Sequence, residues 1–184
     1  WRFTRDDVLI HALPIYHTHG LFVAMNTLLL AGGSMFFLPK LDADAIMKLM
    51  PRATSMMGVP TFYTRLLQHP GLTKDATKHM RLFISGSAPL LAETHREWRE
   101  KTGHAILERY GMTETGSGCV YGGYPLAGVE LRAAADGEIS IRAPLLLRAP
   151  AYLVRLASRT ARAPFELLLG HGGGAGGGRA STAA

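Results

Sequence analysis

Between Asp7 and Leu107, short apolar runs closed by proline or glycine alternate with segments that carry helix-starting signals, and this rhythm constrains the fold more than any other feature. Residues 7–14, DVLIHALP, read as a buried strand, because a short apolar run ended by Pro suits a strand better than a helix. The loop IYHTHG follows, then a buried helix predicted over residues 21–30 and ended by Gly32 and Gly33. Residues 34–38 form a second strand, and Asp42 caps a helix that runs to Met50 and stops at Pro51. Residues 54–59 are strand-like, with Pro60 placed to start the helix to Gln68. Residues 81–84 lead as a strand into the loop SGSAP, and residues 90–101 form a helix in which Glu97 and Lys101, four apart, make a favourable pair. Gly103 ends that helix, and residues 104–107 begin the next strand. Strands alternating with helices specify an α/β fold with a largely parallel sheet.

The last third changes character. Residues 128–132 and 137–142 read as two alternating strands joined by a turn at Asp136 and Gly137, a short β-rich segment. Beyond Pro150 the chain is biased to Ala, Arg, Leu and Gly and ends in a low-complexity run. Residues 151–165 have the pattern of a basic amphipathic helix, but Pro164 and the glycine run leave it little to pack against. The expectation is one partial domain over residues 1–143 and a divergent, disordered tail over 144–184, with the character of a shifted reading frame. A chain opening at Trp1 in mid-pattern reads as a fragment.

The net charge of +6 invites a nucleic-acid reading, but its distribution opposes one. Arg155, Arg159, Arg162 and Arg179 against Glu166 put half of the excess in the tail. Elsewhere the basic residues are scattered, without the clustered patch that a nucleic acid needs. Residues 21–31, the longest apolar run, contain Asn26 and Thr27 and are too short for a membrane span. Cys119 is the sole cysteine, which excludes an intrachain disulfide and a paired-cysteine metal site and fits a reducing, cytoplasmic setting. Oligomeric state is not legible.

In parallel α/β sheets, ligands collect at the carboxyl ends of the strands. Three loops qualify: YHTHG, SGSAP and YGMTETG. The small residues of SGSAP permit close approach of a planar ligand, or simply tight packing of strand on helix. In YGMTETG, Tyr110 offers an aromatic face, Gly111 a tight turn, Thr113 a hydroxyl for phosphate oxygen and Glu114 a hard ligand for Mg²⁺. A turn or capping cluster is the plain alternative.

Taken in order, LPIYHTHGL, FISGSAPL and ERYGMTETG resemble the adenylate-forming superfamily of AMP-dependent acyl-CoA synthetases and ligases. Residues 1–116 are similar to its malonyl-CoA synthetases, so residues 1–143 are expected to be part of the large N-terminal AMP-binding domain. The resemblance implies ATP, Mg²⁺ and coenzyme A. A carboxylate attacks the α-phosphate of ATP, and the thiol of coenzyme A then displaces AMP. It also implies that Ser87 and Ala88 border the adenine, Tyr110 and Gly111 line it, Thr113 contacts phosphate and Glu114 binds the metal.

Arg109 precedes that Tyr, where the resemblance implies a small residue in many acyl-CoA synthetases. A buried Arg is costly unless paired, and malonate or methylmalonate brings a second carboxylate that a guanidinium binds in bidentate fashion. The expectation is that Arg109 selects the dicarboxylate, with His17 and, less directly, His19 beside it. A surface Arg paired with Glu108 or Glu114 is the competing reading. His-x-His at a strand end also allows a metal-dependent hydrolase that uses His17 and His19. A third reading is a truncated, non-catalytic nucleotide-binding remnant. The superfamily's phosphate loop, its ribose-binding Thr-Gly-Asp and its C-terminal catalytic Lys have no match here, and residues 118–124 look shortened.

Overall fold

The computed structural model describes residues 1–133 and 139–143. Its main sheet has five parallel strands, β1 (Val8–His11), β2 (Ser34–Phe37), β3 (Ser55–Gly58), β4 (Leu82–Ser85) and β5 (Ile106–Tyr110). An antiparallel hairpin, β6 (Val120–Tyr121) and β7 (Tyr124–Pro125), extends it, in the order β2-β1-β3-β4-β5-β6-β7. The expected α/β fold is therefore present. The hairpin was not anticipated: each of its strands is two residues long, and its one sequence mark is the Gly122–Gly123 pair at the turn, both with positive φ.

A separate antiparallel pair, β8 (Glu130–Ala133) and β9 (Ile139–Arg142), forms where the β-rich segment was expected, with Glu130 opposite Arg142. The turn at Asp136 and Gly137, the candidate helix over residues 151–165 and the tail over 144–184 lie outside the described residues.

Strand register separates two faces. Ile10, Met56, Phe83 and Ile106 are in register across one. Against it pack α3 (Pro60–Leu67) and α5 (Ala92–Thr102), with Trp98 edge-on to both Tyr63 and Phe83 at 5.0 Å between ring centroids. The Tyr63 hydroxyl donates to the Ile84 carbonyl, so the buried ring carries no stranded polar group. The other face carries His11, Met57, Ile84 and Leu107 in register, and Arg109 follows Leu107 by two residues on the same side.

Several sequence signals operate as read. Asp42 accepts from the Ala45 amide at the start of α2 (Ala43–Leu49), and Gly103 takes φ +81 at the end of α5. Two details differ. Lys101 donates to the Leu67 carbonyl at 2.7 Å, so it forms no bridge to Glu97; a part-buried carbonyl at the end of α3 needs the donor, whereas a carboxylate with access to water gains little from the pair. A short α4 (Lys74–Thr77), capped by Thr73, was not anticipated.

The helix expected over residues 21–30 begins earlier, as a π-helical stretch His19–Asn26 that runs into α1 (Thr27–Leu30). Its entry is set by Gly20: an ideal Cβ there would stand 2.2 Å from the Pro14 carbonyl oxygen. Only glycine allows the helix to start against that carbonyl, and the early start carries His19 into the interior.

At the amino ends of the strands, Arg81 holds Asp7 through Nε and Nη2, both at 2.7 Å, and Nη1 donates to the Trp1 carbonyl. The Thr54 hydroxyl and Thr4 amide also donate to Asp7. This cluster ties the starts of β1, β3 and β4 together at the end remote from the candidate loops. Among the described residues no helix is long and apolar enough to cross a membrane.

Candidate active site

The carboxyl ends of β1, β4 and β5 bring the three candidate loops to one edge, as parallel topology requires. The second loop leaves β4 through Gly86, whose missing side chain is essential: an ideal Cβ would stand 2.8 Å from Arg109 Cγ and 3.1 Å from its Nε. The Arg109 stem therefore lies across the end of β4. Ser87 follows in a left-handed conformation, φ +71, and Ser87 and Ala88 are both exposed.

His19 is 3% exposed and its Nδ1 lies 3.0 Å from Ser87 Oγ, joining the first loop to the second. Burial, with Arg109 and His11 adding repulsion, pulls its pKa down to about 3, so the imidazole is neutral at physiological pH. His11 is fully buried, and burial also lowers its pKa. His17, by contrast, is exposed and lies against the Tyr16 ring at 4.6 Å. The structure thus brings His19, not His17, to Arg109.

Arg109 is 5% exposed, and among the described residues no carboxylate pairs with it. The surface reading, with Glu108 or Glu114 as partner, is therefore excluded. Nη1 donates to the Ser117 carbonyl at 3.1 Å, while Nε is buried without a partner. Burial lowers the guanidinium pKa, with Tyr121 and Cys119 opposing, but an arginine so placed remains charged. Glu108 is turned to the opposite face, where burial raises its pKa against the Leu90 amide and His95.

The third loop is a compact turn. Thr113–Thr115 form one 3-10 turn, closed by Thr115 Oγ1 on the Met112 amide and by the Ser117 amide on the Met112 carbonyl. Thr113 and Glu114 are exposed at its tip, and Glu114 forms no ion pair with the described residues. Tyr110 is half-buried, and burial raises its phenol pKa. Gly111 serves a role its motif does not advertise: an ideal Cβ would stand 2.1 Å from the Ser117 carbonyl oxygen. It is the gap through which residues 116–118 fold back over β5.

This donor set suits a nucleotide with its metal. An exposed hydroxyl and carboxylate at a strand end, beside a half-buried aromatic and a loop of small residues, match phosphate, Mg²⁺ and base. A hydrolase centre finds no support among the described residues, which hold no group of three or more His, Cys, Asp or Glu able to bind a metal. Three of the later histidines have structural partners: His95 donates to the Ile106 carbonyl, His104 to the Thr77 carbonyl, and His69 faces Asp44.

A model of the AMP-binding enzyme family matches residues 1–145. The chain belongs to that family. Over 187 residues it is 34% identical to a malonate–CoA ligase of Arabidopsis thaliana, covering 80% of this chain and 30% of that relative. ATP-bound MatB from Rhodopseudomonas palustris superposes with a TM-score of 0.77 at 56% identity, over 88% of this chain and 36% of that one. A malonyl-CoA ligase complexed with methylmalonyl-CoA and AMP gives a TM-score of 0.71 at 35% identity, over 88% and 39%. The chain thus spans about a third of the length of the relatives it matches. The resemblance in the three loops and the fold it implied are both borne out.

Ser117, Gly86 and His11 escaped the sequence reading. Gly86 stands inside a loop that was read, but its contact with Arg109 is a matter of tertiary packing. Ser117 lies in a stretch of Gly and Ser with no pattern of its own.

Proposed function

We propose that residues 1–143 carry the adenylation centre of an AMP-forming ligase that activates a small dicarboxylate, malonate or methylmalonate, and passes it to coenzyme A. The observation that carries this reading is the buried Arg109 guanidinium, with no carboxylate partner among the described residues and an open Nε. Leaving a charge so placed costs several kcal/mol unless a ligand supplies its counter-ion. A dicarboxylate does so with the group that is not adenylated. A malonate–CoA ligase among the relatives, and a related malonyl-CoA ligase with methylmalonyl-CoA bound, support the same substrate class.

In this reading the Arg109 Nε edge binds the spectator carboxylate, and neutral His19, fixed by Ser87, donates to it from Nε2, which is buried without a partner. His17 takes a place at the exposed rim. The other carboxylate is then held near the tip of the third loop, where its oxygen attacks the α-phosphorus of ATP and pyrophosphate leaves. The thiolate of coenzyme A next attacks the acyl carbon, and AMP leaves. Tyr110, Gly111, Ser87 and Ala88 border the adenine, and Thr113 donates to the phosphates. Glu114 would hold Mg²⁺, which supplies electrostatic stabilisation of charge at phosphorus. Positioning and charge carry such a transfer, so no general base is required.

Titration of ¹⁵N-labelled chain with malonate and with acetate tests the reading. Malonate is expected to shift the Arg109 Nε–H resonance and to bind at least about tenfold tighter than acetate, as one charge-assisted bond predicts. Arg109→Ala is expected to remove the difference. Equal affinities that Arg109→Ala leaves unchanged refute it.

A further inference from the structure

The side-chain hydrogen bond of Arg109 to Ser117 goes to a residue with unusual backbone. Ser117 has φ +103, a conformation costly for any residue with a Cβ. That backbone aims its carbonyl at Arg109 Nη1, 3.1 Å away, and Gly111 supplies the space the carbonyl needs. Ser117 is itself 4% exposed, and its hydroxyl is buried without a partner among the described residues. Two unsatisfied polar groups, Arg109 Nε and Ser117 Oγ, therefore lie on two residues in direct contact. Buried polar groups are nearly always satisfied, and a carboxylate, with its several lone pairs, can accept from both.

We propose that Ser117 is a specificity-determining residue for the dicarboxylate. Its main-chain carbonyl occupies Nη1 and so keeps the Nε edge of the guanidinium open for the spectator carboxylate. Its hydroxyl donates a further bond to that same carboxylate. The proposal rests on the reading of Arg109 given above and extends it to a residue outside the three motifs.

The test uses the same titration with two variants. Ser117→Ala removes the hydroxyl and keeps the carbonyl. Ser117→Gly also removes the hydroxyl and relieves the positive φ, so it folds at least as readily as the parent. Both are expected to lower the malonate-to-acetate affinity ratio about tenfold, the loss of one hydrogen bond to a charged group. A ratio unchanged in both variants, while Arg109→Ala abolishes it, overturns the role of Ser117 and leaves that of Arg109 standing. Equal weakening of both acids also overturns it, because that is the signature of a merely structural residue. A parent chain with no malonate preference overturns both readings.

Discussion

His19 gives the site a measurable dependence on pH. Its folded pKa is about 3 against an ordinary 6.5, with burial the first cause and the Arg109 charge the second. Between those values the unfolded chain binds a proton that the folded chain refuses, so stability falls as pH drops below about 6.5 and the loss levels off near 3. From pH 7.5 to pH 5.0 the linkage for this one group amounts to about 2 kcal/mol. His11, lowered by burial, adds in the same direction. His19→Asn cannot titrate and keeps a polar atom near the position of Nδ1, within reach of Ser87 Oγ. Urea unfolding followed by tryptophan fluorescence at pH 7.5, 6.0 and 5.0 should show the parent losing about 2 kcal/mol more than the variant across that range. Parallel pH dependence in the two proteins would refute a buried, neutral His19, and with it the packing of the first loop against Arg109.

Other expectations follow from named contacts. Asp7→Asn should cost about 2 to 3 kcal/mol at pH 7 by leaving the Arg81 fork without its carboxylate, as chemical denaturation would show. Because Asp7 is held well below the ordinary carboxylate range, first by Arg81, the parent loses that contribution only as pH falls below about 4, so parent and variant should converge in acid. Gly111→Ala must displace the Ser117 carbonyl and should cost about 1 to 3 kcal/mol, together with the malonate preference, in the same titration. Glu114→Gln should weaken Mg²⁺-dependent nucleotide binding about tenfold and leave the urea midpoint unchanged, since Glu114 is exposed and makes no ion pair with the described residues. Calorimetry with and without Mg²⁺ would check this.

The parallel core was legible because each strand is a short apolar run with a breaker after it, and each long helix carries its own start or stop. Asp42, Pro60 and Gly103 all act locally, and local signals survive without tertiary context. The hairpin β6–β7 was missed because its two-residue strands have no period of their own, which left the Gly122–Gly123 turn without a flanking pattern to give it meaning. The start of the first helix was misjudged for a similar reason. Nothing in the string HTHGL shows that Pro14 presses on Gly20, yet that contact decides which histidine turns inward. In the site, the three loops and the burial of Arg109 could be read, since residue types and spacing carry that chemistry. The open Nε and the contact with Ser117 could not, because they depend on loop residues 116–118 closing over Gly111.

The proposed chemistry is adenylation of a dicarboxylate selected by Arg109. It is tested most directly by placing residues 1–143 in R. palustris MatB, in place of its matching stretch, and measuring pyrophosphate release with ATP, Mg²⁺ and either malonate or acetate; the two proteins are 56% identical where they superpose. Malonate-dependent release that Arg109→Ala abolishes is expected, with acetate-dependent release no lower than in the parent. Equal loss with both acids would move Arg109 to folding or nucleotide binding. No release from a folded exchange protein would contradict the claim and leave a nucleotide-binding remnant.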